Sequence, residues 1–367
     1  MDLTSFLNTE VLNRRDALAS TFQDAQPFRH VVIDGFFEPA FCESLVDAFP
    51  PFDPKLAMNE DGVVGGKAVH ENVRTLGPAY ERLDALVASP EFRGLIGTIT
   101  GIPELEYDKD YFGGGTHDNR HGQELDAHID FNFHPITGMH RRLNLIVFFN
   151  DGWRPEWGGV LDLHKNPRRR PHEDEITSVV PLMNRCVVFE TNEYSWHGFE
   201  KIQLPDAERD RSRRSFALYY YTRTRPAEET GNSHSTVYVE RHLPPRFKAG
   251  YTLSGNDEQE LLQILKRRDT HLQRLYGYVA NLLTEVDSVK SAIRVADEAD
   301  VPAAAEADAT TDGTTEVDAE TRASLRRLTE ANRILRWQLN GVLTSKSWKL
   351  TEPLRSAMAV VKRVAGR

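Results

Sequence analysis

Seven short runs rich in Val, Ile, Leu, Phe and Tyr, separated by Gly, Pro, Asn and Asp, lie between residues 28 and 250. They constrain the fold more than any other feature of the chain. They are RHVVIDGFF (29–37), ELEYDKDYF (104–112), ELDAHIDFNF (124–133), RLNLIVFFN (142–150), GVLDLHK (159–165), RCVVFET (185–191) and RSFALYYYT (214–222). Runs of this length and spacing predict an antiparallel sheet protein. Two stretches, FCESLVDAFP (41–50) and the one around YERLDALVAS (80–89), carry apolar residues three and four apart and predict flanking helices.

The pattern changes after residue 255. Leu265, Leu272, Leu275, Val279, Leu282, Val286, Val289 and Ile293 keep one apolar stripe at three- and four-residue steps, broken once at Arg268. A coiled coil requires that stripe, and so does a long helix docked on its own domain. Residues 297–320 hold nine acidic residues and no basic one, the composition of a self-repelling linker. Leu325, Leu328, Leu335, Leu339 and Val342 resume the heptad, with Asn332 at the core position between them. The last segment interleaves Lys346, Lys349, Arg355, Lys362, Arg363 and Arg367 with Trp348, Leu350, Leu354, Met358, Val361 and Val364. Such a segment suits a membrane surface or another chain equally well.

A chain of 367 residues exceeds what one core usually fills. The expected organisation is a helical lead-in over 1–27, a β domain over 28–250, a long amphipathic helix over 256–295, an acidic disordered linker over 296–322, a coiled-coil helix over 323–345 and a basic amphipathic tail over 346–367. A net charge of -10 argues against nucleic acid as a partner and confines any attraction to anionic lipid to the tail. Two cysteines, Cys42 and Cys186, form no disulfide framework and fit a reducing compartment. The first residues lack a basic start and an apolar core, and no run is long enough to span a membrane. The expectation is a cytoplasmic protein that touches the inner membrane, if at all, from the side.

The chemistry centres on ELDAHIDFNF. His128 and Asp130 stand two apart in an expected strand, so both side chains leave one face and can bind one ion. A second His-x-Asp, His172 and Asp174, sits in the polar loop RRRPHEDE and lacks a rigid platform. A non-haem Fe(II) site takes two His and one carboxylate on one face of the metal, so a third ligand must come from a later strand. His197, after the strand RCVVFET and beside Trp196 and Phe199, is the best candidate. Sixteen residues on, Arg213 opens a strand whose alternation puts Arg213, Ser215, Ala217 and Tyr219 on one face. An inward Arg with a hydroxyl two residues later suits a bidentate grip on a carboxylate. A one-residue slip would exchange Arg213 with Arg214.

His128-x-Asp130, then His197, then Arg213-Arg214-Ser215 resembles the Fe(II)/2-oxoglutarate-dependent oxygenases, in particular a bacterial subgroup of the prolyl-4-hydroxylase-like branch. The runs GGGTHDNRHGQELDAHIDFN, TGMHRRLNLIVFFNDGWRPEWGGVLDLH and RSRRSFALYYYT carry the same resemblance. It implies an all-β core, a double-stranded β-helix or jelly roll with flanking helices, to which the C-terminal helical coiled-coil extension is added. It also implies Fe(II) on His128, Asp130 and His197, and 2-oxoglutarate chelating through its 1-carboxylate and 2-keto group. Arg213 would then pair with the far carboxylate, assisted by Ser215. O2 would take the remaining position, with ascorbate as a candidate reductant and C–H hydroxylation as the outcome. Asn144 is expected near the co-substrate, and Tyr111 is either a second contact to it or a core residue. His117, His121, His134 and His140 are expected in loops or behind the ligands.

The substrate stays open between a glycan or glycolipid, a peptide and a small metabolite. The string LTSKSWKLTEPLR resembles tails of bacterial surface-polysaccharide glycosyltransferases and points towards glycans, whereas the prolyl-hydroxylase likeness points towards peptidyl proline. A rival from another class is a jelly-roll assembly or sensing module that keeps the ligands without turnover on a coiled-coil scaffold, as a homo-oligomer or with a different partner. A cupin-type isomerase has no need for Arg213.

Overall fold

The computed structural model describes residues 1–57, 67–239, 242–244 and 246–299. The chain divides into two compact units, Met1–Pro244 and Pro245–Arg367.

The first unit opens with helices α1 (Thr9–Asn13) and α2 (Arg15–Asp24), followed by β1 (His30–Ile33), α3 (Pro39–Asp47) and β2 (Ala68–His70). Helices α4 (Pro78–Ala88) and α5 (Pro90–Thr100) follow, then β3 (Glu106–Tyr107), β4 (Gly115–Asn119), β5 (Leu125–Ile129), β6 (His140–Phe148) and β7 (Leu161–His164). The unit is completed by β8 (Ile176–Val179), β9 (Arg185–Glu190), β10 (Trp196–Phe199), β11 (Arg213–Thr222) and β12 (Val237–Tyr238). One sheet runs β1-β9-β6-β11-β4-β2, with β3 also pairing β11; the other runs β12-β5-β10-β7-β8. From β4 to β11 the chain repeatedly crosses between them: β4, β6, β9 and β11 belong to the large sheet, and β5, β7, β8 and β10 to the small one. All the pairings are antiparallel. This exchange is the strand path of a jelly roll.

Each face of the large sheet has its own core. Leu143, Leu145, Val147, Phe216, Leu218 and Tyr220 point outward and pack against Leu83 and Leu86 of α4 and Phe92, Ile96 and Ile99 of α5. Residues 1–27 join this same core through Leu7, Val11, Leu18 and Phe22. On the inner face Phe148, Val187 and Phe189 meet Leu161, Leu163 and Val179 of the small sheet. Alternation along β6, β9 and β11 therefore leaves one side apolar for the helices and the other for the space between the sheets.

One expected strand is much shorter than its run, and several elements were not expected. The run 104–112 keeps only two strand residues, because Asp108 accepts from the backbone N–H of Asp110 (3.0 Å) and Phe112 (2.8 Å) and folds the chain into a turn. Strand β4, GTHDN, escapes an apolar-pattern reading because it is polar throughout. Helix α5 also lies outside the two predicted helices. Ser89 caps it by accepting from Phe92 N–H at 3.2 Å, and Pro90 occupies its first turn.

In the second unit α6 spans Gly255–Ala299. Ser254 and Asp257 cap it reciprocally: Asp257 N–H donates to Ser254 Oγ (3.3 Å) and Ser254 N–H to Asp257 Oδ2 (3.0 Å). Leu262, Leu265, Leu272 and Leu275 are exposed on this helix. Residues 296–299, expected to open the disordered linker, are instead the last residues of α6; the rest of the linker, the second heptad and the basic tail lie outside the described residues.

Gly115 fixes how β2 joins the sheet. Its φ is +89°, and a Cβ there would stand 2.1 Å from the His70 carbonyl oxygen. Gly115→Ala is expected to cost at least ~1–3 kcal/mol from backbone strain alone. A urea unfolding midpoint equal to the parent's would show that β2 does not depend on this approach.

Candidate metal and co-substrate site

The site is built where β5 and β10 lie side by side in the small sheet. His128 and His197 are direct cross-strand partners, with ring centroids 4.3 Å apart. A register shift follows at Gly198, where an added Cβ would meet Leu125 O at 2.7 Å and Ala127 N at 2.9 Å, so the two strands can approach this closely only at a glycine. His128 Nδ1 lies 2.8 Å from Asp126 O, and His197 Nδ1 lies 3.0 Å from Ser195 O. A carbonyl only accepts, so each Nδ1 carries the proton and donates, which leaves each Nε2 lone pair free to bind a metal.

Asp130 stands one residue past the end of β5. Its Oδ1 is 3.8 Å from His128 Nε2 and its Oδ2 is 3.6 Å from His197 Nε2. One donor atom from each of the three residues lies within 4.8 Å of the others. Metal bonds of ~2.1 Å at right angles need donors about 3 Å apart, so small side-chain movements close the triad around one ion. Two neutral imidazoles, a carboxylate and an open face fit Fe(II).

Asp130 is held by the large sheet across the gap. Asn144, from β6, donates through Nδ2 to Asp130 Oδ2 at 2.8 Å. The Arg141 guanidinium is 3.0 Å from the same oxygen and donates to Asn144 Oδ1 through Nε (3.1 Å) and a terminal nitrogen (2.7 Å). Arg141 is itself fixed over the Tyr219 ring, 3.6 Å from its centroid. Burial alone would raise the Asp130 carboxyl, but Arg141, the two imidazoles and Asn144 hold it well below the usual carboxylate range. Burial and the neighbouring His197 push His128 down to about 3, and burial also lowers His197. Protons therefore compete little with a metal at neutral pH.

Arg213 faces into the same space from β11. It is 95% buried, its Nε donates to Gly159 O at 2.6 Å, and its guanidinium lies over the rings of Phe199 (4.4 Å) and Phe148 (4.9 Å). Among the described residues no carboxylate lies within ion-pair distance of it. Burial lowers it to about 9, which still leaves it cationic at neutral pH. Arg214 points to the other face and lies over Phe49, so the strand register separates the two arginines. Ser215 is buried on the inner side between His117 and Phe148.

The other expectations divide. Asn144 is at the site, but its side chain is spent on Asp130 and Arg141. Tyr111 is corrected to a core residue: its hydroxyl donates to Asp84 of α4 at 3.0 Å and its ring packs on Phe216, on the helix-covered face. The turn made by Asp108 is what carries it there. His172 is exposed beside Glu173, while Asp174 is taken by His164 (2.9 Å) and the Asn166 N–H, so that pair forms no site. His134 pairs with Asp108 at 3.5 Å, His121 accepts from Leu204 N–H, and His140 stacks on Phe133. His117, expected in a loop or behind the ligands, stands on β4 at the inner face, and two site neighbours went unread in the sequence: Arg141, and Lys67, whose Nζ is 3.4 Å from His117 Nε2. Neither belongs to a local motif, and only the pairing of β2 with β4 brings Lys67 near.

Residues 115–221 match the family model described as the 2OG-Fe(II) oxygenase superfamily. A prolyl 3,4-dihydroxylase OGFOD1 from Ostreococcus tauri is 25% identical over 234 residues, covering 58% of this chain and 41% of that protein. The chain thus spans less than half of that relative's length. Among solved structures, a prolyl 4-hydroxylase from Phytophthora capsici is 17% identical with a TM-score of 0.41, over 71% of this chain and 74% of that one. A Pseudomonas putida prolyl-4-hydroxylase is 17% identical with a TM-score of 0.37, over 56% of this chain and all of that one.

Asn144 ties the metal ligand to the opposite sheet. Asn144→Ala is expected to weaken Fe(II) binding about 10- to 100-fold with a nearly unchanged fold. Metal titration followed by circular dichroism would check this, and full retention of affinity would sink the positioning role. Because His128 is neutral down to about pH 3, Fe(II) affinity of the parent should change little between pH 6 and 8. A steep tenfold rise per pH unit over that range would mean that an imidazole has to lose a proton first.

Proposed function

We propose that the chain is a 2OG-Fe(II) oxygenase of prolyl-4-hydroxylase-like character, a non-haem iron dioxygenase that hydroxylates a C–H bond at the expense of 2-oxoglutarate, and the match of residues 115–221 to that family model supports the reading. The observation that carries this reading is the pair of buried, complementary sites facing one space: a His-Asp-His triad on one sheet and the unpaired Arg213 on the other. Fe(II) held by His128, Asp130 and His197 would supply the oxidation, coupling decarboxylation of 2-oxoglutarate to succinate with oxygen insertion into the substrate.

The chain's own residues do the rest. Asp126 O and Ser195 O fix both imidazoles in the tautomer that presents Nε2. Asn144 and Arg141 keep Asp130 ionised and orient it, so the carboxylate does not swing away or take a proton. Arg213 offers its guanidinium to the distal carboxylate of the co-substrate, and the rings of Phe148 and Phe199 exclude water from that contact. A charge pair so enclosed is worth far more than one in water. Ser215, beside it on the same face of β11, can donate a hydroxyl to the same carboxylate. A purely structural jelly roll has no need for a desolvated cation opposite a metal triad, and that favours the enzyme over the scaffold.

The exposed Leu265, Leu272 and Leu275 of α6 support a further part of the reading, association of the chain through its second unit, as a homo-oligomer or with another helical protein. For the wider cell we keep the expectation of a cytoplasmic enzyme at the inner membrane's side, with a glycan or a peptide as the molecule oxidised. The likeness to the Ostreococcus prolyl dihydroxylase favours prolyl peptides, and the C-terminal string favours glycans.

His128→Ala, Asp130→Ala and His197→Ala are each expected to abolish succinate formation in the presence of iron and ascorbate while the β domain stays folded. Arg213→Ala should raise the 2-oxoglutarate requirement by an amount corresponding to about 2–5 kcal/mol, and Arg214→Ala far less. Succinate release by the triad variants at the parent rate would rule the mechanism out. Light scattering should find the full chain oligomeric and a truncation after Gly250 monomeric. A strictly monomeric full chain would leave α6 for a different partner.

A further inference from the structure

We propose that Lys67 anchors an anionic group, a carboxylate or a phosphate, on the molecule that the iron site oxidises. The inference rests on the oxygenase reading and names the chemistry of the substrate that the reading leaves open.

Lys67 directly precedes β2, whose pairing sets Ala68 opposite Asp118 and Val69 opposite His117. Continued by one residue, that register sets Lys67 beside Asn119, which is itself paired with Arg213. Alternation then puts Lys67 and Val69 on the inner face with His117, Arg213 and Ser215, and Ala68 and His70 on the outer one. The side chain conforms to this, with Nζ 3.4 Å from His117 Nε2, and His117 is buried. Lys67 thus reaches the chamber from the β2 edge, whereas Arg213 is clamped on the far side by Gly159 O, Phe148 and Phe199. Two strand spacings of ~4.8 Å separate their backbones, so the two cations can serve two different anions.

The charges inside the chamber require a second anion. Lys67, Arg141 and Arg213 are cations, and Asp130, paired with Arg141, is the carboxylate that faces them. A bound divalent iron and the two carboxylates of 2-oxoglutarate cancel each other and leave the positive excess as it was. Asp108 and Glu193 are already engaged by His134 and His234. Glu71, the other carboxylate that Lys67 senses, is exposed and accepts from Gly113 N–H at 2.7 Å. No carboxylate lies within ion-pair distance of Lys67 among the described residues. Partial burial outweighs Asp130 and brings the ammonium down to about 8, so it is charged at neutral pH with part of its hydration removed. An occupant that brings negative charge beside it relieves that desolvation, and a neutral one does not. A substrate with an acidic or phosphorylated group near the oxidised carbon fits this chamber better than an uncharged proline peptide.

The test uses the full chain loaded with Zn(II), which is redox-inert, and with 2-oxoglutarate, so that binding is read without turnover. Inorganic phosphate and acetate are titrated calorimetrically into the parent, Lys67→Arg and Lys67→Gln, each checked for an unchanged melting temperature. The parent and Lys67→Arg should bind at least one of the two anions, and Lys67→Gln should bind it at least tenfold more weakly. 2-Oxoglutarate affinity should agree within about twofold across the three proteins. Tighter phosphate identifies a phosphorylated substrate, and tighter acetate a carboxylated one. Failure of the parent to bind either anion, or equal binding by Lys67→Gln, overturns the proposal. A matching loss of 2-oxoglutarate affinity in Lys67→Gln also overturns it, by assigning Lys67 to the co-substrate. If the parent fails to bind 2-oxoglutarate at all, the oxygenase reading falls. The dependence of anion binding on Lys67 is then still read on the Zn(II) protein alone.

Discussion

Asp130 is nearly withdrawn from water, and everything around it answers to that. A buried carboxylate without partners would take up a proton and cease to be a metal ligand. Here Arg141 and Asn144 keep it charged, and both come from the large sheet while Asp130 follows a strand of the small one. One hydrogen-bonded link therefore spans the two layers of the jelly roll at the metal site. Its far end, Arg141, is held over Tyr219 of β11, the strand that also carries Arg213. The position of the metal ligand and that of the co-substrate anchor are thus referred to one strand.

That strand does two jobs by alternation alone. Phe216, Leu218 and Tyr220 go outward into the helix-covered core, and Arg213, Ser215, Ala217 and Tyr219 go inward. The outward face resists slippage because a one-residue shift would send Arg213 and Ser215 into the helix-covered core and turn Phe216, Leu218 and Tyr220 toward the polar triad. Hydrophobic burial on one side of β11 thereby fixes which arginine faces the His-Asp-His triad on the other. The stability of the fold and the identity of the anchor are the same fact seen from two faces of a sheet.

The motif residues were legible because they depend on short-range rules. His128 and Asp130 are set by period two, and Arg213 by the apolar alternation that follows it. The antiparallel β class followed from the spacing of turns. What the sequence hid comes from pairing over long distances. Strand β4 is polar on both faces, with Asp118 on one and His117 on the other, so it lacks the apolar signature of a strand. Tyr111 sat in an aromatic run that looked extended until Asp108 turned the chain, and that turn sends its ring to the helices. Lys67 carries no local signal at all.

The space left for a substrate is bounded by these same hidden residues. Arg213 is enclosed by the rings of Phe148 and Phe199. The β2 edge, by contrast, sets Lys67 beside His117 of β4, so on the proposed reading the side left for a substrate is cationic. Electrostatic complementarity generally sets which partner is accepted more than how tightly it is held. On the proposed reading the triad and Arg213 define the reaction, and the charge at the opposite edge separates one substrate from another, so the chemistry and the choice of substrate rest on different strands.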